Sequence, residues 1–181
     1  MNSPIFFVFQ LLVLIFSVMV HEIAHGAIAL KLGDTTAKRA GRLTLNPLKH
    51  IDPFGSIILP LSLFFLTSGG ILLGWAKPVP YNPFNLKNPK RGAGLIAAAG
   101  PVTNLSIAIV FGALVRTLVS SNIGSEPLIF LRNIVILINV SLSIFYLLPI
   151  PPLDGSGILF SLIPDHARGV MDFLSRYGMI L

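Results

Sequence analysis

Three long apolar stretches, separated by short polar or proline-rich segments, dominate the hydropathy pattern of the 181-residue chain. They run from Ile5 to Leu32, from Ala93 to Val119 and from Leu128 to Leu148. At a rise of about 1.5 Å per residue, about 20 helical residues cross the roughly 30 Å hydrocarbon core of a bilayer. Each stretch reaches that length, so the pattern predicts three transmembrane helices.

A fourth apolar stretch, Phe54–Gly74, is long enough to span but is interrupted by four glycines and Pro60. Such breakers suit a re-entrant hairpin, which dips into the membrane and returns to the same face. The following run, Trp75–Pro83, carries three prolines, which exclude a helix and favour an extended or polyproline segment. A weak alternation from Arg42 to Asn46 indicates a short β segment.

The third span ends in Pro149–Gly155, where three prolines within four residues must break the helix. Irregular backbone at membrane depth usually lines a site, and this break carries the carboxylate of Asp154. The alternative for Asp154 is an ordinary cap or turn residue. Further on, Asp165–Gly178 predicts an amphipathic surface helix, and Met179–Leu181 could be the first residues of another span.

The composition is that of an integral membrane protein. Hydrophobic residues make up 54% of the chain, charged residues 11%, and the mean hydropathy is +0.83. Too few polar residues remain to cover a soluble globule of this length. We therefore expect an all-α membrane protein with three transmembrane helices, a re-entrant apolar hairpin and short β segments, forming one domain over residues 1–181.

The net charge of +6 would also suit a nucleic-acid partner, but the basic residues gather in loops between the apolar stretches. Residues 33–53 and 75–91 each hold four Lys or Arg residues, whereas Glu126 is the one charged residue between Ser120 and Pro127. The positive-inside rule then places both basic loops in the cytoplasm. We predict a multi-pass protein of the cell membrane, embedded in lipid and without a nucleic-acid partner.

A His-Glu-x-x-His motif lies in the C-terminal half of the first apolar stretch. His21 and His25 share one helix face and can bind one metal ion, with Glu22 beside them. In zinc hydrolases with this spacing, the glutamate takes a proton from the attacking water and passes it to the leaving amine. Charged and polar groups in hydrocarbon are costly unless they pair, bind metal or face a wet cavity. A zinc site is therefore the preferred interpretation over a chance match or a polar cluster that joins helices.

A catalytic zinc ion needs a third protein ligand, and the chain has no cysteine, so that ligand must be His, Asp or Glu. Asp154 is the acidic residue that directly follows a span through a broken backbone. If Phe54–Gly74 crossed the membrane fully, Asp154 and the His pair would lie on opposite sides; if it is re-entrant, they share the cytoplasmic half. Charge bias and metal geometry then agree on Asp154. His50 is another candidate ligand, although a surface or interfacial position is the simpler interpretation.

These motifs resemble the site-2 proteases, a family of intramembrane zinc metalloproteases. The matching runs, in the family's order, are His21–His25, Ala99–Asn104 and Pro149–Gly155. Two further runs, Asn46–Pro53 and Gly74–Pro80, are similar to the family's compact prokaryotic branch. The likeness covers nearly the whole chain, so we expect neither the PDZ nor the CBS domains of longer members.

The resemblance implies one zinc ion held by His21, His25 and Asp154, with Glu22 as the general base. It implies an endopeptidase that cuts single-span membrane proteins in or near their membrane segment, as in regulated intramembrane proteolysis. By its position in the second matching run, Asn104 is a candidate hydrogen-bond donor to the substrate backbone or the oxyanion. An amide that only packs helices is an equal alternative.

Two departures from the family matter. Tyr146 stands where the family usually has Asn, so the role of that amide is lost or taken by the phenol. The family's C-terminal span is missing or only begun at Leu181. The extended run Trp75–Asn82 could pair with an unwound substrate by strand addition. A membrane metal-ion transporter and an inactive membrane scaffold are the alternative functions, and the sequence leaves the oligomeric state open.

Overall fold

The computed structural model describes residues 4–68, 74–121, 125–164 and 167–178. Within these residues the protein is helical and contains no strand. Short 3₁₀ turns occupy Pro47–Lys49 and Pro83–Asn85, and a π-helical turn at Pro53–Ile58 leads into α3. The α-helices are α1 (Pro4–Lys31), α2 (Thr36–Arg39), α3 (Leu59–Leu66), α4 (Pro89–Ser120), α5 (Glu126–Tyr146), α6 (Asp154–Leu162) and α7 (Arg168–Tyr177).

The helices α1, α4 and α5 are long and apolar enough to cross a membrane, which confirms the three predicted long apolar helices. Helix α4 starts at Pro89 rather than Ala93 because the Asn88 side chain caps it by accepting the N–H of Arg91. Helix α5 ends at Tyr146, just before the proline-rich break. The boundaries therefore follow capping and proline chemistry rather than hydropathy.

Helix α4 packs against α1, α5 and α6. Polar side chains join the long helices: Asn139 Nδ2 donates to Ser17 Oγ at 2.9 Å, and the Ser143 hydroxyl donates to the backbone oxygen of Pro101 at 3.0 Å. Such bonds suit an apolar environment, where buried polar groups must find partners on neighbouring helices. Large apolar side chains are exposed on the outer faces, as expected for lipid-facing surfaces: Val8, Leu12, Phe16, Val102, Ile109, Val110, Leu137 and Ile144.

The two ends of the fourth apolar stretch lie together. Trp75 N–H donates to Gly55 O at 3.1 Å, and the Ser56 hydroxyl donates to Trp75 O at 2.8 Å. A Cβ at Gly55 would collide with the Trp75 ring, so only glycine permits this contact. Residues 55 and 56 at the start of this stretch are therefore direct neighbours of Trp75, which follows its end. The Gly69–Gly70 pair, predicted as part of the turn, lies outside the described residues.

The short β segments predicted from sequence are absent from the described residues. Residues 42–46 form a turn, in which the Arg42 guanidinium donates to Lys49 O and the Asn46 N–H donates to Thr44 Oγ1 at 3.2 Å. No extended neighbour in the described part of the chain completes a ladder with this turn. Residues 75–82 are extended, as their prolines require, but likewise form no strand.

Helix α6 begins at Asp154, directly after the proline-rich break, and the hydropathy pattern does not predict it. A carboxylate in the first turn suits the positive end of the helix dipole. Helix α7 agrees with the predicted amphipathic helix, although residues 165, 166 and 179–181 of the predicted C-terminal segments lie outside the described part.

Candidate metal centre

Three side chains from distant parts of the chain form one cluster. His21 and His25 project from α1, and Asp154 is the first residue of α6. Asp154 Oδ2 lies 3.0 Å from His21 Nε2 and 3.3 Å from His25 Nε2. One ligand atom from each residue lies within 4.8 Å of the others. The structure therefore brings together the three residues that the sequence nominates as metal ligands.

Helix α4 forms the wall behind the two imidazoles. His25 Nδ1–H donates to the backbone oxygen of Ile96 at 2.6 Å, which leaves the lone pair of this tautomer on Nε2. One turn further along, Gly100 faces both rings: a Cβ there would lie 2.6 Å from His25 Nε2 and closer still to the His21 ring. The helix approaches the imidazoles this closely because position 100 has no side chain.

The donor set fits zinc. Two imidazole nitrogens and one carboxylate oxygen are the ligands of many catalytic zinc sites, which keep a further position open for water or substrate. His21 is fully buried and His25 is 8% exposed, so the donors are shielded from bulk water. A divalent cation would offset the cost of holding this carboxylate and its imidazoles among apolar helices.

Glu22 lies beside the cluster and is also buried. The backbone N–H of Val79 donates to Glu22 Oε2 at 2.8 Å. Glu22 Oε1 has no hydrogen-bond partner among the described residues, and the side chain lines the adjacent cavity. One carboxylate oxygen is therefore held in place while the other is available for chemistry.

A cavity of about 810 Å³ adjoins the cluster. Glu22, His25 and Asp154 line it together with the extended segment 75–81 and parts of α4, α5 and α6. Trp75 and Tyr81, which also line it, are 40% and 41% exposed, so the cavity reaches the protein surface. Its size falls in the usual range of ligand sites.

Asp34 anchors the far end of the extended segment. Its carboxylate, which has no accessible surface, accepts hydrogen bonds from the N–H and hydroxyl of Thr36, from Asn82 N–H at 2.8 Å and from Asn85 Nδ2 at 2.7 Å. Burial alone would raise the pKa of Asp34, but these hydrogen bonds outweigh it and hold the pKa at about 2. Asp34 therefore fixes the chain just beyond Val79, the residue that orients Glu22.

His50 does not join the metal cluster. Its Nε2–H donates to Thr44 O at 3.0 Å, its backbone oxygen accepts the Lys77 N–H at 2.8 Å, and the ring is 2% exposed. Burial lowers the pKa of His50. The expectation of a surface position is therefore wrong, whereas a position at the membrane interface stays a prediction.

Asn104 and Tyr146 differ in their relation to the cavity. Asn104 is fully buried on α4 and does not line the cavity. Tyr146 does line it, and its ring packs against His21 with the centroids 4.3 Å apart and the planes at 38°.

Comparison with known proteins agrees with this chemistry. The chain is 39% identical over 181 aligned residues to the Bacillus subtilis protein named "Putative zinc metalloprotease YwhC", and the match covers 96% of this chain and 77% of that protein. This chain belongs to that zinc metalloprotease family. No protein-family model matches this metalloprotease, and no solved structure is significantly similar to it.

Two further relatives of the metalloprotease carry similar names. The Mycobacterium tuberculosis protein named "Putative zinc metalloprotease Rip2" is 32% identical over 157 residues, covering 84% of this chain and 54% of Rip2. The Methanocaldococcus jannaschii protein named "Zinc metalloprotease MJ0392" is 28% identical over 163 residues, covering 90% of this chain and 37% of MJ0392. These names are consistent with the resemblance to site-2 proteases, while the branch without PDZ or CBS domains stays a prediction.

Sequence reasoning misses several groups that shape the metalloprotease site. The backbone groups of Val79 and Ile96 bond to Glu22 and His25, and no side-chain pattern reveals a backbone contact. Asp34 is one of several acidic residues in the sequence, with nothing to mark it as an anchor. Gly100 leaves a signal, because it stands in a run of small residues that favours close helix packing.

Proposed function

We propose that this metalloprotease is an intramembrane endopeptidase of the site-2 type, which hydrolyses peptide bonds in or near the membrane segment of single-span membrane proteins. The observation that carries this proposal is the location of the cluster. His21 and His25 lie on a helix long and apolar enough to span a bilayer, and α4 and α5, which have the same character, pack around it. A protease with its ligands on such a helix meets its substrate within the bilayer.

His21, His25 and Asp154 would hold one zinc ion per chain through two imidazole nitrogens and a carboxylate oxygen. When bound, zinc would polarise the scissile carbonyl and acidify the attacking water. Asp154 also ties the start of α6 to α1, because its Oδ2 lies close to both imidazoles.

Glu22 acts first as general base and then as general acid. Val79 N–H holds Oε2, which leaves Oε1 for the reacting groups. Glu22 accepts a proton from water as the water oxygen bonds to the carbonyl carbon, and it returns a proton to the amide nitrogen as the C–N bond breaks. One water molecule is consumed, and the products are a new carboxyl end and a new amine end.

A re-entrant path for residues 54–74 puts this site in the cytoplasmic half of the membrane. The bonds between Gly55 and Trp75 support it, because both ends of the stretch meet. The cluster of Ala29 with Leu86 and Ile96 supports it too, since the end of α1 and the start of α4 lie together. A full crossing would separate them. The basic loops at these ends then face the cytoplasm.

The extended segment supplies an edge for the substrate. The N–H groups of Trp75, Lys77 and Val79 all donate toward the protein body. The opposite edge, at Ala76 and Pro78, has no hydrogen-bond partner among the described residues, and both residues line the cavity. An unwound substrate segment would pair with this edge, which would bring its peptide bonds to Glu22.

Tyr146 is the best-placed side chain to stabilise the oxyanion. It lines the cavity with Glu22 and Asp154, and its phenol has no hydrogen-bond partner among the described residues. A phenol donates one hydrogen bond, as the amide usual in the family would. Asn104, the candidate from the sequence, is fully buried and absent from the cavity lining.

The test is cleavage of a single-span fusion protein, with a glycine- and proline-containing membrane segment, by the full chain in lipid vesicles. Glu22→Gln keeps an acceptor for Val79 N–H but removes the base, so cleavage should fall by at least roughly 100-fold. A soluble fusion with the same sequence but no apolar flanks is the matched control and should be cut poorly. Parental cleavage by Glu22→Gln, or equal cleavage of both fusions, would contradict the proposal.

A further inference from the structure

Helix α4 presents three positions, each one turn apart, to the two imidazoles: Ile96, Gly100 and Asn104. The Ile96 backbone oxygen accepts the Nδ1–H of His25, and Gly100 makes room for both rings. His21, by contrast, has a buried Nδ1 atom with no hydrogen-bond partner among the described residues. Helix α4 therefore accepts a hydrogen bond from the His25 ring but leaves His21 Nδ1 without a partner.

Asn104 is the polar side chain next to this gap. It has no accessible surface, and neither its Oδ1 nor its Nδ2 has a hydrogen-bond partner in the described part of the chain. The amide lies within reach of a hydrogen bond to the His21 ring, although no bond of good geometry joins the two groups in the structure. A buried amide with two unused polar atoms is costly, so the position calls for an explanation.

Helix packing does not supply that explanation. Asn139, the other fully buried asparagine in the described residues, shows what a packing amide does: its Nδ2 donates to Ser17 Oγ and to Val135 O. Asn104 makes no comparable bond between helices. Asn104 is also absent from the lining of the cavity.

The chemistry of a histidine ligand explains the buried Asn104 amide. An imidazole that binds metal through Nε2 carries its proton on Nδ1, and that N–H needs an acceptor to hold the ring orientation. His21 turns its Nε2 toward Asp154, so its Nδ1–H points away from the cluster. Asn104 Oδ1 is a buried acceptor without a partner, and the Asn104 side chain lies within reach of this ring.

We propose that Asn104 is a positioning residue for His21, whose Nδ1–H it accepts, so that α4 orients both imidazoles of the metal site. Ile96 does so through its backbone and Asn104 through its side chain. The inference rests on the proposed zinc function. It gives Asn104 a role in metal affinity rather than in binding the oxyanion.

The test compares the zinc dissociation constants of the full-length parent, Asn104→Leu and Asn139→Leu by chelator competition in detergent. Asn104→Leu removes the acceptor at similar volume and should weaken zinc binding by roughly 10- to 100-fold. Asn139→Leu also removes a buried amide, but one that bonds to Ser17 and Val135 rather than to a metal ligand, and it should change zinc affinity only a few-fold. Parental zinc affinity in folded Asn104→Leu, or an equal loss in both variants, would overturn the inference.

A spectroscopic readout covers the case in which Asn104→Leu does not fold. In zinc-loaded protein with ¹⁵N-labelled histidine, Asn104→Asp should move the His21 Nδ1–H resonance downfield, because a charged acceptor shortens the bond. The His25 resonance, whose acceptor is Ile96 O, is the internal control and should not move. An unchanged His21 resonance would overturn the inference. A parent that binds no zinc would instead refute the proposed function itself.

Discussion

Asp34→Asn removes the negative charge that anchors the far end of the extended segment. The carboxylate accepts four hydrogen bonds through its two oxygens, from Thr36, Asn82 and Asn85. An amide of the same size accepts at one end only, so at least one donor loses its partner. The chain around Val79 should loosen, and with it the hold on Glu22.

The magnitude follows from the pKa of Asp34, which falls from an ordinary 3.8 to about 2 in the folded protein. At about 1.36 kcal/mol per pKa unit, that fall corresponds to about 2.4 kcal/mol. Asp34 has no accessible surface but lies in a shallow part of the protein, where solvent screens the charge. We therefore expect Asp34→Asn to cost about 1–2 kcal/mol of unfolding free energy at neutral pH.

The pH dependence has a definite sign. Because the folded pKa lies below the unfolded one, the stabilisation is complete above about pH 5 and is lost as the pH falls from about 4 to about 2. The difference between parent and Asp34→Asn should be constant from pH 8 to 5 and shrink below pH 4.

The assay is unfolding by a denaturing detergent, followed through the fluorescence of Trp75, the single tryptophan, which lies in the extended segment. Zinc affinity should stay parental in Asp34→Asn while cleavage of the fusion protein falls. The matched control is Asp172→Asn, which replaces an exposed carboxylate on α7. It should change neither the stability nor the rate of cleavage. Equal stability of parent and Asp34→Asn at pH 7, or a difference that grows with acid, would refute the reasoning.

Three further substitutions test the site. Gly100→Ala adds a Cβ that meets both imidazoles and should weaken zinc binding at least tenfold in chelator competition, whereas Gly112→Ala, which meets only the flexible end of a side chain at 3.1 Å, should not. Ala76→Pro removes an edge N–H and should lower kcat/KM of cleavage by up to roughly tenfold relative to Ala76→Ser, and equal rates would argue against strand addition. Tyr146→Phe should lower kcat by roughly 10²- to 10³-fold without changing zinc affinity. A parental kcat would exclude the phenol as the donor to the oxyanion.

Much of the fold could be predicted because it depends on local composition. The three long helices follow from the length of their apolar runs, and the non-helical segment 75–82 follows from its prolines. Helix α6 could not be predicted, because nine residues directly after three prolines carry no strong period. The turn at residues 42–46 shows the opposite error, in which a weak alternation suggests a strand that has no partner to pair with.

The candidate site could be predicted only where side chains carry the signal. The spacing of His21 and His25 is local, and Asp154 could be inferred from topology although it lies 133 residues from His21. The anchor between Asp34 and Asn82 joins residues 48 apart through a backbone N–H. Neither a backbone donor nor its direction is written in the sequence, so such contacts need the folded structure.

The most direct test of the central claim is the zinc content of the purified, detergent-solubilised parent together with Glu22→Gln and Asp154→Ala. The account predicts about one tightly held zinc ion per chain in the parent and in Glu22→Gln, and a much weaker hold in Asp154→Ala. A parent that holds no zinc would contradict it and favour an inactive scaffold. Weak, exchangeable binding of several different metals would contradict it in favour of metal transport.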